Sequence, residues 1–370
     1  MTSELPKSDS PMRILRVAQK VYPDVKGGGA YHVHAMSRDQ AAMGHDVTVL
    51  TVRQDKSLPH VEERDGYTVV RHDPVMNLLG NEISPGLAQY LATTEDFDII
   101  HAHSHLYFST NLAAVKRFVG DIPLAITNHG LYSQNAPEWV FRWYLKTLGR
   151  WTFNQADVVF CYTDEDRERV RELGVSSRIE VVHNGVDTER FTPDGPKSEL
   201  IDHDGPIVLF VGRLVEGKRP QDAIRAVSQL AEVSDVKLYV VGEGPMRSEL
   251  ERLAGENVVF LGQVPYEEMP RIYRSGDVLL LPSRAEGLPR TVLEAFASSI
   301  PVVSSYLDHT APIVQKGGYT VKVGNVEKYR SVLEDILDSK GLGQSGRDLV
   351  VNRFRWQNTA VRTTDVLTNL

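Results

Sequence analysis

The sequence predicts an α/β protein made of two doubly wound, parallel-sheet domains. Three observations carry this expectation. Short apolar runs alternate with helical patterns from end to end, the mark of repeated βαβ units. At 370 residues the chain exceeds one ordinary core and suits two domains of about 180 residues each. A Pro/Gly/Asp-rich stretch at 188–206, holding Phe191-Thr192-Pro193-Asp194-Gly195-Pro196 and Asp202-His203-Asp204-Gly205-Pro206, splits the strands into two series. The first series reads as strands at 13–17, 46–51, 68–71, 98–101, 124–127, 158–162 and 179–182. The second reads as strands at 207–211, 237–241, 258–261, 278–281 and 301–304, with helices at 221–230 and 291–297 between them. The expected domains are 12–190 and 207–347, joined by a linker at 191–206 and preceded by a flexible, Pro/Ser-rich tail at 1–11. Loops at the carboxyl ends of two such sheets would face each other across a cleft, the expected ligand site.

Composition narrows the class. Hydrophobic residues make up 41% of the chain, enough for well-packed globular domains, yet no run approaches the 18 or so apolar residues of a membrane span. The tail lacks the apolar core of a signal peptide. Cys161 is the single cysteine, which excludes an intramolecular disulfide and suits a reducing cytoplasm. A net charge of −8 and a pI near 5.9 argue against a nucleic-acid binder.

The strongest functional signal lies in 283–295, directly after the apolar run Val278-Leu279-Leu280-Leu281. Here Glu286 and Glu294 stand eight positions apart across a loop-to-helix junction. Gly287, Leu288 and Pro289 form the turn, and Pro289 suits the first helical position, where its missing N–H costs nothing. With a rise of about 1.5 Å per helical residue, the two carboxylates would stand roughly 10 Å apart, close to the span from the sugar to the ribose of a nucleotide sugar. The free N–H groups at the helix start would face the phosphates between them. Arg213 and Lys218 follow the strand at 207–211, beside Gly212 and Gly217, where both cations can converge on one anion. Gly27-Gly28-Gly29 follows the first strand and precedes a helix at 30–43, so the backbone there can approach a phosphate or sugar closely. It is no dinucleotide fingerprint, because the third glycine is missing. Three Asp-x-Asp patterns, at 96/98, 164/166 and 202/204, have plain explanations as strand start, helix cap and linker. No catalytic metal is expected.

These residues in this order resemble glycosyltransferase family 4, retaining enzymes that use nucleotide sugars and have two Rossmann-like domains, the GT-B fold. The resemblance runs through Gly27-Gly28-Gly29, Asn184-Gly185-Val186-Asp187 with Phe191-Thr192-Pro193, Val211-Gly212-Arg213-Leu214 with Lys218, Gly242-Glu243-Gly244-Pro245, and Glu286 to Glu294. It implies transfer of a sugar from a UDP-, GDP- or ADP-linked donor to a hydroxyl acceptor with retention, in glycan, glycolipid or glycoconjugate synthesis, with no cofactor. Glu286 would hold the sugar, Glu294 the ribose, and Arg213 with Lys218 the diphosphate. Gly28, Gly29, Gly287, Leu288 and Pro289 are further donor-binding positions. His129, in Thr127-Asn128-His129-Gly130, stands where such transferases often have a histidine near the donor sugar, and it joins Arg213, Lys218 and Glu286 as a catalytic candidate. His103, in the run His101-Ala102-His103-Ser104-His105, either faces the acceptor or is structural. The segment at 348–370 resembles the terminal helix that crosses back to the first domain.

Two departures stand out. Asp308-His309-Thr310-Ala311-Pro312 replaces the Gly pair and Glu that follow this strand in the family. Arg290 occupies a place where many relatives have an apolar residue, and it either adds charge near the diphosphate or is simply exposed. The helix bearing Trp139, Phe141, Trp143, Tyr144, Leu145, Leu148 and Trp151, mixed with Arg142, Lys146 and Arg150, has two readings. Core packing is the commoner outcome; the other is peripheral contact with the inner membrane surface and a lipid-linked acceptor. The rival functions are an epimerase or phosphorylase on the same scaffold, a non-catalytic sugar-nucleotide binder, and a two-carboxylate glycosidase.

Overall fold

The computed structural model describes residues 5–8, 10–78, 80–131, 138–337 and 341–370. They form two compact units, Met1–His183 with Gln357–Leu370, and Asn184–Trp356.

In the first unit the chain runs through β1 (Arg13–Val17), α1 (Gly28–Ala42), β2 (Asp46–Val52), β3 (Val61–Arg64), β4 (Tyr67–His72), β5 (Met76–Leu78), β6 (Asn81–Ile83), α2 (Pro85–Thr93) and β7 (Ile99–His103). It continues through α3 (Phe108–Val119), β8 (Leu124–Thr127), α4 (Glu138–Tyr144), a π-helical turn (Leu145–Gly149), α5 (Arg150–Asn154), β9 (Val158–Cys161), α6 (Asp164–Glu172) and β10 (Arg178–Val181). Eight strands form one sheet in the order β10-β9-β8-β7-β1-β2-β4-β3, parallel except for the antiparallel β3–β4 edge. Alternate residues of each strand go to opposite faces. Leu15, Val17, Leu50 and Ile100 therefore join one apolar layer, while Ile14, Val47, Val49 and Ile99 join another with Val33 of α1. Both faces being covered, the central strands read as continuous apolar runs.

The second unit contains β11 (Ile207–Val211), α7 (Pro220–Leu230), β12 (Lys237–Val241), α8 (Arg247–Leu253), β13 (Val258–Gly262), α9 (Met269–Ser275), β14 (Val278–Leu281), α10 (Arg290–Ala297), β15 (Val302–Ser305), α11 (Ala311–Val314), β16 (Gly318–Val321), α12 (Val326–Leu337) and α13 (Leu342–Arg353). Its sheet order is β13-β12-β11-β14-β15-β16, parallel throughout. The last helix, α14 (Trp356–Thr368), lies almost wholly in the first unit, where Val366 and Leu367 join the layer with Val33 and Thr364 accepts a bond from Gln40 at 3.0 Å.

The expected linker belongs instead to the second unit. Its Phe191 ring is fully buried and packs on Tyr266 and Tyr273, and Ser198 bonds to Ser275 and Glu268. The chain passes between units at 183/184 and 356/357, and these apolar and polar contacts hold Phe191 and Ser198 against α9 and the loop before it. The expected flexible tail is likewise partly docked. Residues 1–4 and 9 lie outside the described residues, but Ser8 N donates to Met43 O and Lys7 Nζ to Ala42 O at 2.9 and 2.8 Å.

Candidate active site

In a doubly wound sheet, ligands bind beyond the carboxyl ends of the strands where the strand order reverses. In the second unit that point lies between β11 and β14, and the loops that follow these two strands carry Lys218 and Glu286. A single 3₁₀ turn, Glu216–Lys218, ends at Arg219 in the left-handed region with φ 51°, and the Arg284 N–H donates to Gly217 O at 2.8 Å. Thus joined, the loops bring Lys218 Nζ to 2.5 Å from Glu286 Oε1, with side chains only 15% and 5% exposed. A lysine has three donors, so this ammonium keeps capacity for an anion. The loop is braced from behind by His309, whose Nε2 donates to Glu286 O at 2.7 Å. The replacement sequence at 308–312 thus supports Glu286 through its main chain.

The motif Gly242-Glu243-Gly244 closes the neighbouring strand end. Leu214 N donates to Glu243 O at 2.9 Å, and a Cβ on Gly242 would fall 2.0 Å from Gly212 O, one on Gly244 2.4 Å from Leu214 O. Only glycine allows the Lys218 loop to lie against this turn.

Glu294, on the buried side of α10, forms a separate centre. Its Oε1 accepts from Tyr266 Oη and its Oε2 from Tyr273 Oη, each at 3.0 Å. Burial and the adjacent carboxylate push the Tyr273 phenol well above its ordinary pKa, so it stays a donor. Arg290 is buried, contrary to the reading of an exposed residue. Its Nε stands 3.6 Å from Glu294 Oε1, its Nη2 donates to Tyr266 Oη at 3.0 Å and its Nη1 to Gly185 O at 3.3 Å. The helix itself begins at Arg290, with Pro289 as the residue before its first turn. Gly287, Leu288 and Pro289 are buried, whereas Arg213 is exposed on the loop after β11.

In the first unit a cluster of rings stands at the carboxyl ends of β7, β8 and β9. His103 Nδ1 lies 3.1 Å from His129 Nε2, and His129 Nδ1 lies 3.0 Å from Tyr162 Oη. The His32 ring is 5.6 Å from that of His103 and 5.4 Å from that of His129. Gly29 adjoins this group, since a Cβ there would sit 4.0 Å from His129 Nδ1, and Gly28 opens α1 beside it. Loss of solvation lowers the His129 pKa to about 4 and holds His103 well below its usual range, so these two rings are neutral at pH 7. His103 is 2% exposed, and the Nε2 of its ring has no hydrogen-bond partner among the described residues.

Lys218 with Glu286 form one group, and His103 with His129 another beside Gly29. Sequence reasoning missed Tyr266, Tyr273, His32 and Tyr162, and noted His309 only as part of the departure at 308–312. Tyr266 and His309 follow β13 and β15, so their places after strands were the available signal.

Comparison with known proteins gives the class to which these two sheets and their strand-end residues belong. Residues 26–190 match the profile of Glycosyltransferase Family 4, and residues 205–339 match that of Glycosyl transferases group 1. A glycogen synthase of Mycobacterium tuberculosis is 28% identical, over 96% of this chain and 94% of its own. A GDP-mannose-dependent alpha-(1-6)-phosphatidylinositol monomannoside mannosyltransferase of Mycolicibacterium smegmatis is 27% identical, over 94% and 96%. The crystal structure of Anabaena Alr3699/HepE in complex with UDP-glucose superposes with a TM-score of 0.80 at 18% identity, over 97% of this chain and 100% of that one. The chain belongs to glycosyltransferase family 4 and has the GT-B fold.

Proposed function

We propose that this glycosyltransferase moves a sugar from a nucleoside-diphosphate donor to a hydroxyl acceptor with retention of anomeric configuration and without a catalytic metal. The observation that carries the reading is the Lys218–Glu286 pair at the strand-order reversal of the second sheet. Breaking a glycosyl–phosphate bond builds negative charge on the departing diphosphate, and a preplaced ammonium stabilises that charge more than it stabilises the ground state. Lys218, with Arg213 on the same loop, is suited to that task. Glu286 orients Lys218 and can accept hydrogen bonds from sugar hydroxyls, while Glu294, steadied by Tyr266 and Tyr273, is suited to hydroxyls of a ribose. His129 and His103, held neutral, can donate or accept at the sugar or acceptor without adding charge. In this reading the acceptor's proton goes to the leaving phosphate oxygen on the same face, so no carboxylate nucleophile is needed.

The Anabaena protein binds UDP-glucose and the mycobacterial mannosyltransferase depends on GDP-mannose, which recommends UDP- and GDP-sugars as first donors. The phosphatidylinositol monomannoside of that mannosyltransferase recommends a lipid-linked sugar as one acceptor to try. In a screen of donors against acceptors, free nucleoside diphosphate should accumulate only when an acceptor is present. Product NMR should show the donor's anomeric configuration. Diphosphate release independent of acceptor, or an inverted product, would refute the proposal.

A further inference from the structure

The helical run through α4, the π turn and α5 buries one side, with Phe141, Leu145, Thr152 and Phe153 inside. Its other side presents Trp139 and Trp143, 72% and 68% exposed, one turn apart. This corrects the core-packing reading of these two indoles. Arg142, Lys146 and Arg150 are exposed on the same run. Nearby, α3 exposes Val115, Phe118 and Val119 at i, i+3 and i+4, and the Phe118 ring meets Trp151 of α5 with centroids 6.1 Å apart, so the two patches adjoin. Arg117 is paired with Asp157 at 2.9 Å and Glu138 is the first residue of α4, but Lys116, Arg142, Lys146 and Arg150 on these two runs outnumber the remaining acid. In a chain of net charge −8, this face has the opposite sign to the whole.

Outward tryptophans interleaved with cations suit the headgroup region of a bilayer, where indoles sit and basic side chains meet anionic lipid. A symmetric contact between two copies would set cations against cations, which is unfavourable. We propose that this face seats the first unit on the surface of an anionic phospholipid bilayer. The seat goes beyond the transferase reading and stands or falls separately from it.

The test is co-sedimentation of the full chain with vesicles of phosphatidylcholine alone and of phosphatidylcholine mixed equally with phosphatidylglycerol. Binding to the anionic vesicles should be at least about tenfold tighter, weaken with added salt, and shift tryptophan emission to the blue. Arg142→Glu/Lys146→Glu/Arg150→Glu should weaken it at least about tenfold, and Trp139→Ser/Trp143→Ser should reduce both binding and the emission shift. Circular dichroism checks that each variant folds, and Lys146→Glu alone serves if the triple change does not. Four results would overturn the seat: no binding to either vesicle, equal binding to both, wild-type binding by a folded charge-reversed variant, or a concentration-dependent dimer on this face without lipid binding. Transferase activity without vesicle binding would refute the seat alone.

Discussion

Arg290 and Glu294 stand one turn apart on α10, where little water reaches either group. The guanidinium spreads its donors over Tyr266 and Gly185 and lies beside Glu294 at 3.6 Å, with side chains 8% and 6% exposed. Removing one member of such a pair leaves the other charge buried and uncompensated, whereas replacing both by neutral groups of similar shape costs far less. Arg290→Ala is therefore expected to lower unfolding free energy in urea by about 3 kcal/mol, and Arg290→Leu/Glu294→Gln to recover much of that loss. An Arg290→Ala chain as stable as the wild type would show that the guanidinium does not hold the carboxylate. The sequence marked both residues, Arg290 as a departure from the apolar residue of many family relatives and Glu294 as the end of the 286–294 spacing. It offered Tyr266 only a place after a strand and Tyr273 no sign at all, because their approach to Glu294 depends on how α9 and the loop after β13 pack on α10.

At the scale of elements, strands covered on both faces were the most legible. Arg13–Val17, Leu124–Thr127, Ile207–Val211, Lys237–Val241 and Val278–Leu281 carry the apolar runs that such burial requires. Edge elements left weaker traces. The antiparallel β3 reads Val-Glu-Glu-Arg and is half-exposed, and β16 opens with Gly318 against Val302, where a Cβ would fall 1.8 Å from Val302 O. The β5–β6 hairpin has only three residues in each strand. In each, main-chain pairing outweighs side-chain pattern, and pairing partners are distant in sequence. The helix at 139–154 shows the reverse problem: its apolar content was plain, but Trp139 and Trp143 face outward while Phe141 and Leu145 face inward, and the π turn at Leu145–Gly149 shifts the later residues around the axis.

At the scale of the whole molecule, the two units and their parallel sheets were readable from alternating patterns, while the places where the chain passes between units were not. Composition marked 191–206 as a connection, yet Phe191 and Ser198 hold it against α9 and the loop before it in the second unit. The buried histidines make the molecule's stability depend on pH. Burial lowers His105 to about 3 and His129 to about 4; burial first and then Arg38 lower His34 to about 4; and burial holds His101 and His103 well below the ordinary range. Unfolded histidines titrate near 6.5. As pH falls from about 6.5 towards about 4, the unfolded chain takes up protons that the folded chain refuses. The stabilisation from neutral histidines is thus complete above about 6.5 and lost across that interval. Melting temperature should be level above this range and drop steadily within it. A melting temperature unchanged down to about 4 would show that these rings are not held neutral.

The central claim is that the diphosphate of the donor meets Lys218 at the strand-order reversal of the second unit. Calorimetric titration of UDP and of GDP into the wild type and into Lys218→Ala tests it most directly. At least one nucleotide should bind the wild type, and the variant should hold that nucleotide about tenfold or more weaker, as expected for loss of a charge-assisted bond to phosphate. Equal affinity of the two proteins for a nucleotide that binds the wild type would contradict the claim.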